Sequence, residues 1–223
     1  VTNWAAIFDV DGTMVDNRRF HEAAWLELGR RRGLPITPAF YRERIHSRSN
    51  AQTASMLLGA DASRDAIDGM SSEKEQIYRD LYRPMMCEIS GLSNLLDELT
   101  GAGVPCAAVS NSPPANVDMV LDGLQIRDHF RVVLDCNQVR QGKPDPELFH
   151  TAAARLGVPI ERCLVLEDSV SGFAAAEAAG APYVVLKAGA DPAELRRARN
   201  AVASVEDFTQ LSVAQMARWA NRG

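Results

Sequence analysis

An apolar run through Ile7 and Phe8 stops abruptly at Asp9-Val10-Asp11-Gly12-Thr13. A short, fully apolar run that ends at a turn glycine reads as a buried strand. From Asp16 to Gly33 the period lengthens. Phe20, Ala23, Ala24, Leu26 and Leu28 recur at helical spacing, and Arg30, Arg31 and Arg32 crowd the last turn before Gly33, which predicts a helix with its cations at the C-terminal end. Pro35 and Pro38 break it. Between Ala39 and Pro84 helical periodicity continues with no strand, over Phe40 to Ile45, Ala51 to Leu58, and a longer segment expected to open at Ser72-x-x-Glu75, a capping-box pattern.

From Ile89 the pattern changes to short apolar runs separated by amphipathic segments. Strands are predicted at Val104 to Val109, Val132 to Leu134, Cys163 to Leu166 and Tyr183 to Leu186, with a weaker one at Ala201 to Val205. Helices fall between them: Leu92 to Thr100, Ala115 to Leu124, Pro146 to Leu156, Ser171 to Ala179 and Pro192 to Arg199. Strands alternating with helices imply right-handed crossovers and a parallel sheet covered on both faces. The expected fold class is therefore α/β: a Rossmann-like parallel-sheet core formed by residues 1–17 and 88–223, with an inserted all-helical cap domain at 18–87.

Composition narrows this picture without redirecting it. The 223 residues are 46% hydrophobic and 24% charged, ordinary for a soluble globular protein able to bury a full core. A net charge of −5 gives no general attraction to nucleic acid or to an anionic membrane, although a local basic pocket for a phosphorylated compound is compatible with it. Cys87, Cys106, Cys136 and Cys163 lie far apart and lack Cys-x-x-Cys spacing, so reduced, mostly buried thiols are expected rather than a zinc ribbon or a redox pair. No apolar run approaches the ~20 residues of a membrane span, and no basic segment precedes a hydrophobic stretch at the start. A cytoplasmic location is the expectation, and a monomer is plausible.

The chemistry is expected where strands end, because ligands of open parallel sheets bind outside the carboxyl edge. Asp9 and Asp11 follow the first strand and, two residues apart, can share one side of it. Ser110-Asn111-Ser112 follow the second, with Pro113 and Pro114 opening the next helix, where free amides can meet an anion. Lys143 follows the third, in Gly142-Lys143-Pro144-Asp145-Pro146, and Glu167-Asp168-Ser169 follow the fourth. Each has a simple structural explanation: turn residues, caps for Ser110 and Ser112, a solvated lysine, a capping acidic pair. Together they would ring one point with carboxylates, a hydroxyl and a lysine, a set suited to a divalent cation such as Mg²⁺ and a phosphoryl group.

With Asp9-Val10-Asp11-Gly12-Thr13, Ser110-Asn111-Ser112, Lys143-Pro144 and Glu167-Asp168 in this order, the chain resembles the haloacid dehalogenase superfamily over nearly its full length. It is most similar to the branch whose helical cap follows the first motif, which includes β-phosphoglucomutase and many sugar-phosphate phosphatases. The resemblance implies that Asp9 is the nucleophile that becomes an aspartyl-phosphate and that Asp11 is the acid and base. It further implies that Mg²⁺ is held by the Asp9 carboxylate, the Asp11 backbone carbonyl and Asp168, with Glu167 either a ligand or just behind one. Ser110, Asn111 and Lys143 would bind phosphoryl oxygens, and Thr13 would brace the loop beside them. The second acid favours phosphoryl transfer over dehalogenation, since dehalogenases of the superfamily lack an acid at the Asp11 position.

The same resemblance assigns substrate contacts to the cap. His21 and Trp25, one turn apart, would lie near the leaving group. Ser47-Arg48-Ser49-Asn50 is similar to the cap loop that touches substrate, and Lys74 to a cap lysine that reaches it. Asn17 and Asn50 depart from the mutase, which carries threonine and arginine there, although Arg48 could substitute. Losing a guanidinium clamp for a distal phosphate should hurt a mutase more than a phosphatase. The expectation is a Mg²⁺-dependent phosphatase of a small phosphorylated metabolite, such as a sugar phosphate. A β-phosphoglucomutase-type mutase is the alternative, and a non-catalytic phosphate-binding module fits less well with intact Asp9, Asp11, Lys143 and Asp168.

Overall fold

The computed structural model describes residues 2–46, 48–190 and 195–221. The chain forms two compact units, one from Val1–Asp16 with Met86–Gly223 and the other from Asn17–Met85.

The first unit is built on six parallel strands: β1 (Ala5–Asp9), β2 (Cys106–Val109), β3 (Phe130–Leu134), β4 (Cys163–Glu167), β5 (Tyr183–Leu186) and β6 (Ala203–Val205), in the order β3-β2-β1-β4-β5-β6. Every residue of β1, β2, β4 and β5 is buried, which is why these strands read as unbroken apolar runs rather than alternating ones. One face of the sheet packs Ile7, Val109, Val165 and Val185 against Leu148, Phe149, Phe173 and Ala176 from the crossover helices. The sheet order changes direction at β1, the position at which an open α/β sheet forms a crevice.

The second unit is helical among its described residues. The helix α1 (Arg18–Arg32) ends at Gly33 in the left-handed conformation, α2 (Asn50–Leu58) follows a short helical stretch at Pro38–Ile45, and α3 (Arg64–Tyr82) is the longest. The start of α3 differs from expectation. It opens at Ser63, whose side chain accepts from the Ala66 N–H, so Ser72-x-x-Glu75 lies inside the helix. The capping box of this unit is at Ser49 and Gln52 instead, with both reciprocal bonds made.

Back in the sheet unit, helices α4 (Leu92–Gly101), α5 (Pro114–Gly123), α6 (Glu147–Leu156) and α7 (Val170–Ala179) connect the strands as expected. The helix expected from Pro192 begins outside the described residues. An unexpected helix, α8 (Val213–Ala220), is capped by Ser212. All four thiols are free, but Cys87 is exposed and Cys136 only partly covered. Burial pushes the Cys106 and Cys163 thiols up to about 12, which makes them poor nucleophiles. Among the described residues no helix is long and apolar enough to cross a membrane.

Candidate active site

Strand register brings the candidate side chains to one edge of the sheet. Asp9 closes β1 opposite Val109 of β2, so Ser110 stands one residue beyond it. On the other flank Phe8 pairs with Leu166 of β4, which carries Glu167 alongside Asp9. With Lys143 arriving from the segment after β3, they form a cavity of about 140 Å³ lined by Asp9, Asp11, Ser110, Ser112, Lys143 and Ser169.

The loop after β1 turns tightly around Gly12, whose φ of +87° favours glycine. A Cβ there would stand 2.2 Å from Asp168 Oδ2, so the glycine also lets that carboxylate approach the loop. Buried Thr13 donates to Asp168 Oδ1 at 3.2 Å, bracing β1 against β4.

Lys143 sits between two buried acids. Its ammonium donates to Asp9 Oδ1 at 2.5 Å and to Glu167 Oε1 at 2.6 Å. Asn111 fixes the lysine by its backbone, donating to the Lys143 carbonyl at 2.9 Å and accepting the Lys143 N–H at 2.8 Å. The amide expected to bind phosphate is therefore engaged in holding the lysine loop. Glu167 is committed as well. Its Oε2 accepts the N–H groups of Asp168 and Ser169 at 2.9 and 3.1 Å and the Ser169 hydroxyl at 3.1 Å. This carboxylate packs so closely on α7 that a Cβ at Gly172 would fall 1.8 Å from its Cδ.

Asp11 has different surroundings. It is half-buried, and its Oδ2 accepts hydroxyls from both Ser110 (2.9 Å) and Ser112 (2.7 Å). The two aspartates thus share a loop but not an environment. Burial pushes the Asp9 carboxyl up to about 7, the Glu167 carboxylate adds to this, and Lys143 opposes it. Burial alone would depress the Lys143 ammonium, but Asp9 and Glu167 outweigh it and hold its pKa above the ordinary lysine value.

The surplus of acid bears on metal binding. Asp9 Oδ2 is buried without a hydrogen-bond partner among the described residues, and Asp9, Glu167 and Asp168 each offer an oxygen within 4.8 Å of the others. A buried carboxylate oxygen with nothing to neutralise it is costly, and an all-oxygen donor set of this kind fits a hard divalent cation. Both Glu167 oxygens are engaged, whereas Asp9 Oδ2 faces this cluster without a hydrogen-bond partner among the described residues.

The residues expected to contact substrate from the helical unit fall into two groups. His21 stacks on Tyr78 at 4.0 Å, and its Nδ1 accepts from Lys74 Nζ at 2.8 Å. Lys74, 2% exposed, also donates to Glu75 Oε1 at 2.8 Å, and Asn50 donates to the same oxygen at 2.5 Å. The Trp25 ring lies 6.0 Å from the Lys74 ammonium. Arg48 is apart from this cluster, exposed on the surface beside Gln52 and Ser55, and Ser47 lies outside the described residues. The sequence reading did not anticipate the Ser112 hydroxyl on Asp11 or the Ser169 hydroxyl on Glu167. The Ser-x-Ser spacing after β2 was a usable signal for the first, since residues two apart on an extended segment share a side.

A family model described as haloacid dehalogenase-like hydrolase matches residues 5–180. The chain is 27% identical to a phosphorylated carbohydrates phosphatase of Thermotoga maritima, over 79% of this chain and 81% of that protein. It is 29% identical to a β-phosphoglucomutase of Bacillus subtilis, over 79% and 80%. It is 30% identical to a chloroplastic 5-amino-6-(5-phospho-D-ribitylamino)uracil phosphatase of Arabidopsis thaliana over 74% of its length, and spans 44% of that longer protein. The crystal structure of a HAD hydrolase of family IA, variant 3, from Entamoeba histolytica shares the fold with a TM-score of 0.88, at 24% identity and covering 97% of this chain and 99% of that one.

Proposed function

Because the chain belongs to the haloacid dehalogenase-like hydrolases, we propose that it is a Mg²⁺-dependent phosphatase of a small phosphorylated carbohydrate that works through an aspartyl-phosphate on Asp9. The observation that carries this reading is the unlike pair of carboxylates: Asp9 buried and gripped by Lys143, Asp11 two residues on and held by hydroxyls. The Asp9 carboxylate attacks phosphorus, and the bond from phosphorus to the departing ester oxygen breaks as the Asp11 carboxyl gives that oxygen its proton. Asp11, now ionised, takes a proton from water, which attacks the phosphoryl group and frees Asp9 and inorganic phosphate. Lys143 and Ser110 hold the phosphoryl oxygens through both steps. Mg²⁺, held by Asp9, Asp168 and the Asp11 carbonyl, would neutralise charge on those oxygens.

In this reading the helical unit selects the substrate. Among the relatives, a phosphorylated carbohydrates phosphatase and a phospho-ribityl phosphatase support a phosphorylated sugar or polyol. Hydrolysis is favoured over transfer to a sugar hydroxyl because Asn50, an amide engaged with Glu75, stands where a mutase of this branch carries arginine. The test is a panel of phosphorylated sugars and polyols scored for phosphate release with and without Mg²⁺, together with β-glucose 1-phosphate and a trace of its 1,6-bisphosphate. Metal-dependent release from panel members is expected. Stoichiometric glucose 6-phosphate without free phosphate would overturn hydrolysis in favour of the mutase.

A further inference from the structure

Resting on the acid–base role given to Asp11 above, the geometry points to Ser112 as the residue that positions the Asp11 carboxyl for proton transfer. Three hydrogen bonds form a closed ring. The Ser112 N–H donates to Ser110 Oγ at 2.9 Å, Ser110 Oγ donates to Asp11 Oδ2 at 2.9 Å, and Ser112 Oγ donates to the same Oδ2 at 2.7 Å. The backbone of Ser112 is fixed in turn, because its carbonyl accepts the Cys136 N–H at 3.2 Å.

Two consequences follow from the chemistry of this ring. Both hydroxyls converge on Oδ2, so the orientation of the carboxyl is tied to the Ser110 and Ser112 hydroxyls together. The carboxyl plane is set at the same time. The second consequence concerns Ser110, which has one hydroxyl proton and two demands on it. When that proton turns to a phosphoryl oxygen, Asp11 loses one of its two hydroxyl donors. Ser112, two residues further from the strand end, keeps the other and holds the Asp11 carboxyl in place for proton transfer. The two serines thus divide the work, Ser110 serving the phosphoryl group and Ser112 serving the acid.

Departing groups of different basicity separate this role from a merely structural one. 4-Nitrophenyl phosphate expels a weakly basic oxygen that needs little protonation, whereas phenyl phosphate expels a more basic one that depends on Asp11. Measuring kcat/KM on both substrates for wild type, Ser112→Ala, Ser112→Thr and Asp11→Asn gives the test. Asp11→Asn should lose far more on phenyl phosphate than on 4-nitrophenyl phosphate. Ser112→Ala should show the same bias at roughly tenfold, the size of one hydrogen bond to a charged group, and Ser112→Thr, which keeps a hydroxyl, should restore the wild-type ratio. If Ser112→Ala loses equally on both substrates, or if threonine does not restore the ratio, the positioning role is wrong while Asp11 stands as the acid. If Asp11→Asn itself shows no bias, the acid role fails and the role of Ser112 falls with it.

Discussion

Two buried polar clusters, one in each unit, invite comparison because they use similar side chains to opposite effect. In the sheet unit Asp9 and Glu167 share the Lys143 ammonium, Asp168 offers a third carboxylate beside them, and one oxygen of Asp9 is buried without a hydrogen-bond partner among the described residues. In the helical unit Lys74 meets Glu75, with His21 and Asn50 completing the contacts around the pair. The helical cluster pairs its ammonium with one carboxylate, whereas the sheet cluster sets two carboxylates on one ammonium. A one-to-one pair holds helices together, whereas an acidic surplus in a dry site is tolerated when a cation and a reacting phosphate belong there.

The sharpest way to break this contrast is to remove the ammonium that Asp9 and Glu167 share. Lys143→Met leaves Asp9 and Glu167 facing each other without it, so kcat on an aryl phosphate should fall by about 10²–10³ and the metal-free protein should lose roughly 3 kcal/mol in urea unfolding. Retention of activity would mean that the lysine is only structural. The counterpart in the helical cluster is Glu75→Gln, which removes the carboxylate paired with the buried Lys74 ammonium. It should cost about 2 to 3 kcal/mol of stability yet leave turnover of 4-nitrophenyl phosphate, a substrate with no sugar to recognise, within roughly twofold. A large loss of turnover at unchanged stability would assign that cluster to the chemistry.

The third prediction uses pH. Asp9 carries a carboxyl pKa of about 7 in the folded chain against an ordinary 3.8, so the metal-free native state binds this proton more tightly than the unfolded chain does. Its contribution to stability is complete below pH 3.8 and is lost as pH rises through about 7. Asp9→Asn removes that dependence. The metal-free variant should gain on wild type by roughly 2 to 3 kcal/mol between about pH 5 and pH 8, and Mg²⁺ should reverse the order at the higher pH by stabilising wild type alone. A gap that does not change with pH would show that Asp9 is not held in a protonated-favouring site. The smallest effect expected is at the start of α3. Ser63→Ala should cost about 1 kcal/mol, and the same change at Ser72, inside the helix, close to nothing.

That last pair marks where sequence reading failed. Ser72-x-x-Glu75 has the letters of a capping box, but a cap depends on where the helix begins, and Ser63 nine residues earlier already satisfies the first turn. The core strands β1, β2, β4 and β5 were legible because full burial leaves an unbroken apolar run, and the segments at Asp9, Ser110 and Glu167 were legible because each stands where such a run stops, whereas Lys143 lies nine residues beyond the end of β3. What could not be read was the direction of individual side chains in the loops. Asn111 turns to the Lys143 backbone, Ser112 turns to Asp11, and Arg48 lies exposed while Asn50, two residues later, reaches Glu75. Those choices follow from loop torsions and from which hydrogen bonds remain to be made, neither of which has a periodic signature. The helix α8 escaped notice because eight residues span barely two turns.

The central claim, that the buried and lysine-held Asp9 carries the phosphoryl group, is tested most directly by trapping. Wild-type protein turning over 4-nitrophenyl phosphate with Mg²⁺ is quenched with borohydride, which reduces an acyl phosphate to an alcohol, and the peptide spanning β1 is read by mass spectrometry. Homoserine at position 9, present only with substrate and metal together, is the predicted result. Steady phosphate release with an unmodified Asp9, and the same release from Asp9→Asn, would contradict it.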